Sequence, residues 1–253
     1  MSIHEQAEHN FETLFHNKKS RFETLDPELA EFYVNFAYGE VVADSRELDA
    51  HTRLMVQLAA LIANGSEGMY KVMLEAALNV GVTAVEIKEI LYQASAYVGM
   101  GRVYDFLHIT NNELLRRDYK LPLPGQATTT PETRASVGAQ IQRATLGDHA
   151  LKTLSEGIAQ EAPQILDFIT NNLFGDIYSR EGIQRNVREL ITLSMLVALG
   201  DCDTQLRAHV TANLNVGNSR SLLITTVIQL LPLIGYPRTI NGLRIVSASA
   251  RGK

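Results

Sequence analysis

A single cysteine, Cys202, in 253 residues excludes an internal disulfide, and a reducing cytoplasm is the expected compartment. No apolar run reaches the roughly 18 residues that a membrane-spanning helix needs. The opening stretch MSIHEQAEHNFETLF has no apolar core, so no secretory leader is expected. Basic residues are not in excess. The formal net charge is −5, which argues against nucleic acid or a membrane surface as a partner. Alternating apolar–polar runs and hairpin signals are missing, so a β-rich fold is not expected. No glycine-rich loop follows a strand-like stretch, and GMGR (99–102) follows a helical one instead. His51, His108 and the three N-terminal histidines have no ligand spacing to an acid or cysteine, and His149 reads as a surface residue; no metal site is expected.

Proline is also scarce, and its placement is informative. Three of the seven lie in YKLPLPGQATTTPET (119–133), a Thr-rich stretch without apolar period that reads as a linker. It divides the chain near its middle. An offset of 136 residues then carries 27–107 onto 163–243 without a gap. FYVNFAYGEV falls on FITNNLFGDI, and LNVG (78–81) on LNVG (214–217). Gln93, Gly99, Arg102 and Leu107 fall on Gln229, Gly235, Arg238 and Leu243. The chain is read as a first domain (1–118), a linker (119–133) and a duplicated second domain (134–253).

Each copy reads as helices only. HTRLMVQLAALIAN and VRELITLSMLVALG are apolar runs of helix length, too long for ordinary strands, and are expected to be central buried helices. TAVE (83–86) is a capping-box start for the helix that ends at Gly99, and Ser219 starts the matching helix without an acid three residues on. The predicted fold is all-α, a tandem duplication of one helical bundle.

The chemistry concentrates in DCDTQLRAHV (201–210). On a helix, Cys202, Gln205 and His209 share one face. The duplication supplies an internal comparison: Cys202 aligns with Ser66, Gln205 with Met69 and His209 with Met73. One helix earlier, Arg188 and Glu189 align with Thr52 and Arg53. Framework positions agree between copies while these reactive ones differ, so the second copy is expected to carry the site and the first to lack it. Glu189 lies in a strongly apolar helix and needs a partner. Cys202 lies near a helix start, where a thiol pKa is expected to fall.

At these residues the chain resembles the carboxymuconolactone decarboxylase family, within the alkylhydroperoxidase-like all-α proteins. The resemblance is carried by RATLGD (143–148), FGDIYSREGIQRNVRELITLSMLVALG (174–200), QLRAHV (205–210), NVG (215–217) and GYP (235–237), in family order. The second half is most similar to the γ-carboxymuconolactone decarboxylase branch. That branch has an acid before Leu-Arg-x-His, where this chain has Gln205, and often a histidine where it has Gln229. The peroxidase-like branch has a second cysteine at position 205, so no intramolecular dithiol cycle is available here.

The resemblance implies a cofactor-independent decarboxylase acting on a small carboxylated lactone or related acid. His209 would give a proton or hold the oxyanion. Glu189 would orient His209 or an arginine, Arg188 or Arg207 would hold a substrate carboxylate, and Gln205 and Gln229 would donate to a carboxylate or lactone oxygen. No metal or organic cofactor is implied. It also implies a homo-oligomer, a trimer of tandem chains with pseudo-sixfold character. Two other readings stay open: a single-cysteine thiol peroxidase or redox sensor using Cys202, and a non-catalytic oligomeric binding protein.

Overall fold

The computed structural model describes residues 3–16, 21–45, 47–158 and 161–249. The first copy consists of α1 (Glu5–Phe15), α2 (Arg21–Leu25), α3 (Pro27–Val34), α4 (Val41–Ala43), α5 (Ala50–Asn64), α6 (Glu67–Asn79), α7 (Ala84–Val98) and α8 (Met100–Arg116). The second consists of α9 (Arg134–Ile158), α10 (Gln164–Phe168), α11 (Arg185–Leu199), α12 (Asp203–Asn215), α13 (Arg220–Ile234) and α14 (Tyr236–Ser249). Among the described residues there is no strand, as the periodicity predicted, and none of the helices is long and apolar enough to cross a membrane.

The helix boundaries follow from local chemistry. Asp49 caps α5 by accepting from the Thr52 amide, and Gly65 ends it in the left-handed conformation at φ 74°. At α7 the capping box of Thr83 and Glu86 makes both of its reciprocal bonds. Ser219 caps α13 alone, accepting from the Leu222 amide. The loop 119–133 has no helix, in keeping with its proline and threonine content.

α5 and α11 are buried along most of their length and pack against each other across the junction of the copies. Each also packs against the other copy's penultimate helix: α13 lies on α5, and α7 lies on α11. The copies are therefore interleaved through one continuous apolar core. Buried polar bonds tie the crossing. Gln93 on α7 donates to the Arg188 carbonyl at 2.8 Å, and Gln57 on α5 donates to the Gln229 carbonyl at 2.9 Å.

Both copies contain a feature the sequence did not announce, a π-helical segment over Asn35–Glu40 and again over Ile169–Tyr178. In the second copy it lies against the first half of α9, which breaks at Gly147. The two backbones touch through glycines: a Cβ on Gly138 would stand 2.1 Å from the Thr170 carbonyl oxygen, and one on Gly175 would stand 2.4 Å from that of Arg134. A small second core of Ile141, Leu146, Phe174, Tyr178 and Ala212 fills this contact. It sets the position of Tyr178.

Candidate functional site

Glu189 and His209, one turn inside α11 and midway along α12, meet in the interior. The His209 Nδ1 lies 2.8 Å from Glu189 Oε2, with Glu189 fully buried and His209 only 8% exposed. A buried carboxylate is tolerable only with partners. The imidazole is one; the other carboxylate oxygen, Oε1, has none among the described residues. Asn213, one turn beyond His209, clamps the pair by donating to the carbonyls of both Glu189 and His209, at 3.0 and 2.8 Å. It is held in turn by Asn218, whose amide donates to its side-chain oxygen at 2.8 Å.

On the other side of the imidazole stands a residue from the first copy. The Tyr97 hydroxyl of α7 lies 3.4 Å from His209 Nε2, with the rings edge to face. Tyr97 is 2.7 Å from the Tyr178 hydroxyl, and Tyr178 is 2.7 Å from Thr192 Oγ1. Gln93 donates to the same Thr192 oxygen at 2.8 Å. The Gln93 amide nitrogen can only donate, and an ionised Glu189 can only accept. With Nδ1–H on Glu189, Nε2 of the neutral ring is an acceptor to which the Tyr97 hydroxyl can donate, while the Tyr97–Tyr178 and Tyr178–Thr192 bonds can run in either direction. Burial, and next the nearby Glu189 charge, raise the pKa of both tyrosines, so these hydroxyls keep their protons. The 3.4 Å contact to Nε2 is long for a hydrogen bond. Nε2 is thus the loosest member of the chain and the one a ligand atom could most readily take.

Arg188 belongs to an adjoining network. It is fully buried, and its Nη atoms donate to Gln93 Oε1 (3.1 Å), Glu89 Oε2 (2.8 Å) and the carbonyls of Arg180 and Glu181 (2.9 and 3.3 Å). Arg180 pairs with the same Glu89 at 2.9 Å and stacks on Tyr92. Glu89, Gln93 and Tyr97 are successive turns of one α7 face. One face of the first copy thus serves both the ion pair and the imidazole.

The family's sequence model matches residues 27–112 and again 163–248, more than half of the chain. The chain belongs to the carboxymuconolactone decarboxylase family. A 4-carboxymuconolactone decarboxylase from Acinetobacter baylyi is 28% identical over 106 residues, covering 42% of this chain and 78% of that protein.

Within this duplicated member of the carboxymuconolactone decarboxylase family, the residues singled out from sequence are dispersed. Glu189 and His209 come together. Gln205 lies one turn before His209 on the same side of α12 and is exposed. Arg207, two residues from His209 and so about 200° around the helix, is exposed on the opposite side. The carboxylate-binding role expected of Arg188 is corrected by its burial: its Nη donors are already engaged, because an unpaired guanidinium would be too costly there. Gln229 does not face His209 either. It is buried against the first copy, donating to the Val41 carbonyl at 2.6 Å, and its counterpart Gln93 comes to the site instead.

The expected lowering of the Cys202 thiol pKa is also corrected. Burial, together with Asp203 and Asp201 on either side, pushes it up. The thiol donates to the Leu196 carbonyl at 3.2 Å rather than to His209. Tyr97, Tyr178, Thr192, Gln93 and Asn213 were missed. A signal for two of them was present: Tyr97 aligns with Leu233 and Tyr178 with Val42, the same polar-for-apolar contrast that marked His209 against Met73. Among the described residues no cluster of three or more His, Cys, Asp or Glu side chains could hold a metal ion.

Proposed function

We propose that the chain is a cofactor-independent carboxy-lyase acting on a small carboxylated lactone or related acid, with His209 as the proton-transfer group. The observation that carries this reading is the buried Glu189–His209 pair with Nε2 facing a hydroxyl contributed by the other copy. Family membership and the similarity to a 4-carboxymuconolactone decarboxylase support the reaction class. In the reaction the bond from carbon to the substrate carboxylate breaks and CO2 leaves. The electron pair passes into the unsaturated lactone, and its carbonyl oxygen takes the negative charge. That dienolate must then receive one proton on carbon.

His209 suits the second step. In the imidazolium form Nδ1–H remains on Glu189, whose charge stabilises the cation, and Nε2–H is delivered to carbon. Tyr97 holds Nε2 in place between turnovers and can donate to the oxyanion while His209 serves the carbon. Gln205, exposed one turn before His209, would bind the substrate carboxylate. Cys202, with a raised pKa and no histidine partner, has no part in this scheme.

The test is NMR-monitored turnover of γ-carboxymuconolactone by the wild type and His209→Gln. Conversion by the wild type, reduced by a factor of at least 100 in the variant, is expected for loss of a general acid. Equal conversion by both proteins, or none by either, overturns the reading.

A further inference from the structure

The first copy has a pocket of its own where the second has its imidazole. The position of Glu189 is taken there by Arg53, a reversal of charge, and that of His209 by Met73. Arg53, Gln57, Tyr38 and Met73 line this pocket together with Pro232 and Leu233, which α13 brings from the second copy. It is the mirror image of the arrangement in which α7 brings Tyr97 to His209.

Arg53 is 8% exposed. Among the described residues its guanidinium makes one hydrogen bond, a long one from Nη1 to Ser45 Oγ at 3.4 Å, and no carboxylate lies within ion-pair distance. Asp49, the N-cap of α5 one turn before Arg53, has both carboxylate oxygens engaged by Thr52 at 2.9 Å. Burial lowers the pKa of the Arg53 guanidinium against the distant pull of Asp49, yet a guanidinium stays charged throughout the ordinary pH range. A guanidinium with so little water around it gains from a counter-charge. Arg188, its neighbour in the duplicated frame, shows how this chain treats such a charge elsewhere: Glu89 neutralises it.

The shape of the pocket limits what could do the same for Arg53. The centre of a water-sized particle has about 10 Å³ in which to sit beside it, room for one small particle and little more. A carboxylate attached to a carbon skeleton does not fit. The lining beyond the guanidinium is apolar at Met73, Pro232 and Leu233, which disfavours a strongly hydrated ion. Tyr38 adds a hydroxyl that burial keeps protonated, a dipole without negative charge.

We propose that the Arg53 pocket of the first copy binds a small, weakly hydrated monovalent anion of halide size. The anion neutralises Arg53 and, because α13 forms one wall, joins the first copy to the second. The duplicated chain thus holds an acid/base site in one copy and an anion site in the other.

The experiment uses the full chain and bromide as the probe. Crystals soaked in sodium bromide are examined by anomalous diffraction at the bromine edge, for the wild type and Arg53→Met. In parallel, thermal midpoints are compared in sodium chloride and in sodium gluconate at equal ionic strength. The expected result is a bromide peak against the Arg53 guanidinium that the variant lacks, with a midpoint several degrees higher in chloride for the wild type alone. No peak in the wild type overturns the proposal, as does a peak without any chloride-dependent midpoint, which is binding at crystal concentration only. If Arg53→Met does not fold, Arg53→Lys takes its place. It should keep the charge with a weaker chloride effect, and an undiminished effect overturns the assignment to Arg53.

Discussion

His209 is positioned by two neighbours of opposite character, an acceptor at Nδ1 and a hydroxyl donor at Nε2. Removing the donor should leave the pair with Glu189 intact. Tyr97→Phe is therefore expected to lower kcat for the His209-dependent reaction by roughly five- to tenfold, the rate equivalent of one hydrogen bond. KM should hold, since Tyr97 acts on the imidazole. The same variant should move the His209 Nε2 resonance in a ¹⁵N NMR titration, a readout that a merely structural role would not shift. An unchanged resonance would count against the contact.

Cys202 gives the converse prediction. With its pKa raised by burial and flanking aspartates, the proton stays on sulfur at neutral pH and the nucleophilic thiolate forms only as pH climbs past the ordinary thiol range. Iodoacetamide labelling near pH 7 should be slower than that of a free thiol and should accelerate at alkaline pH. Cys202→Ser should retain decarboxylation. A fast-labelling Cys202 would revive the thiol-peroxidase reading.

At the scale of elements, much of the architecture was legible in the sequence, for identifiable reasons. Helix starts are local: Thr83 and Glu86 three residues apart suffice to predict a capping box, and both bonds are present. Central helices declare themselves because α5 and α11 are apolar on nearly every face. The π-helical segments were not legible, because their register depends on backbones distant in sequence that touch through Gly138 and Gly175. The candidate site was legible on one side only. Glu189 and His209 stand out within their own copy. Tyr97 and Gln93 arrive from a helix more than 90 residues earlier, and local pattern does not say which copy a helix will face.

The glycine contact is testable. Gly138→Ala forces a methyl into the Thr170 carbonyl, and overpacking of this kind costs about 1–3 kcal/mol. Since that contact seats Tyr178, a lower thermal midpoint should be accompanied by lower activity. A folded, fully active Gly138→Ala would separate the π-helical segment from the site.

For the whole molecule, Glu89 is one tie between the copies, facing both Arg188 and Arg180 across the junction. Glu89→Gln preserves shape but strands a fully buried guanidinium. The expected loss is about 3–5 kcal/mol, read as a lower denaturant midpoint. Because the core is continuous, both copies should still unfold in a single transition; two separated transitions would show that they are independent bodies.

The interleaving of α7 and α13 also bears on the loop that joins the copies. Two unlinked halves related by duplication could associate in three ways, first with first, second with second, or first with second. Only the mixed pairing sets Tyr97 against His209 and Glu89 against Arg188. A second-with-second pair would offer Leu233 and Thr225 at those places, leaving the guanidinium stranded and the imidazole against hydrocarbon. The loop 119–133 removes that choice by tethering. It makes the mixed pairing intramolecular and so fixes the stoichiometry at one His209 site and one Arg53 pocket per chain. Once the copies had diverged so that each completes the other, a break in this loop would do more than free two domains. It would let each half find the wrong partner.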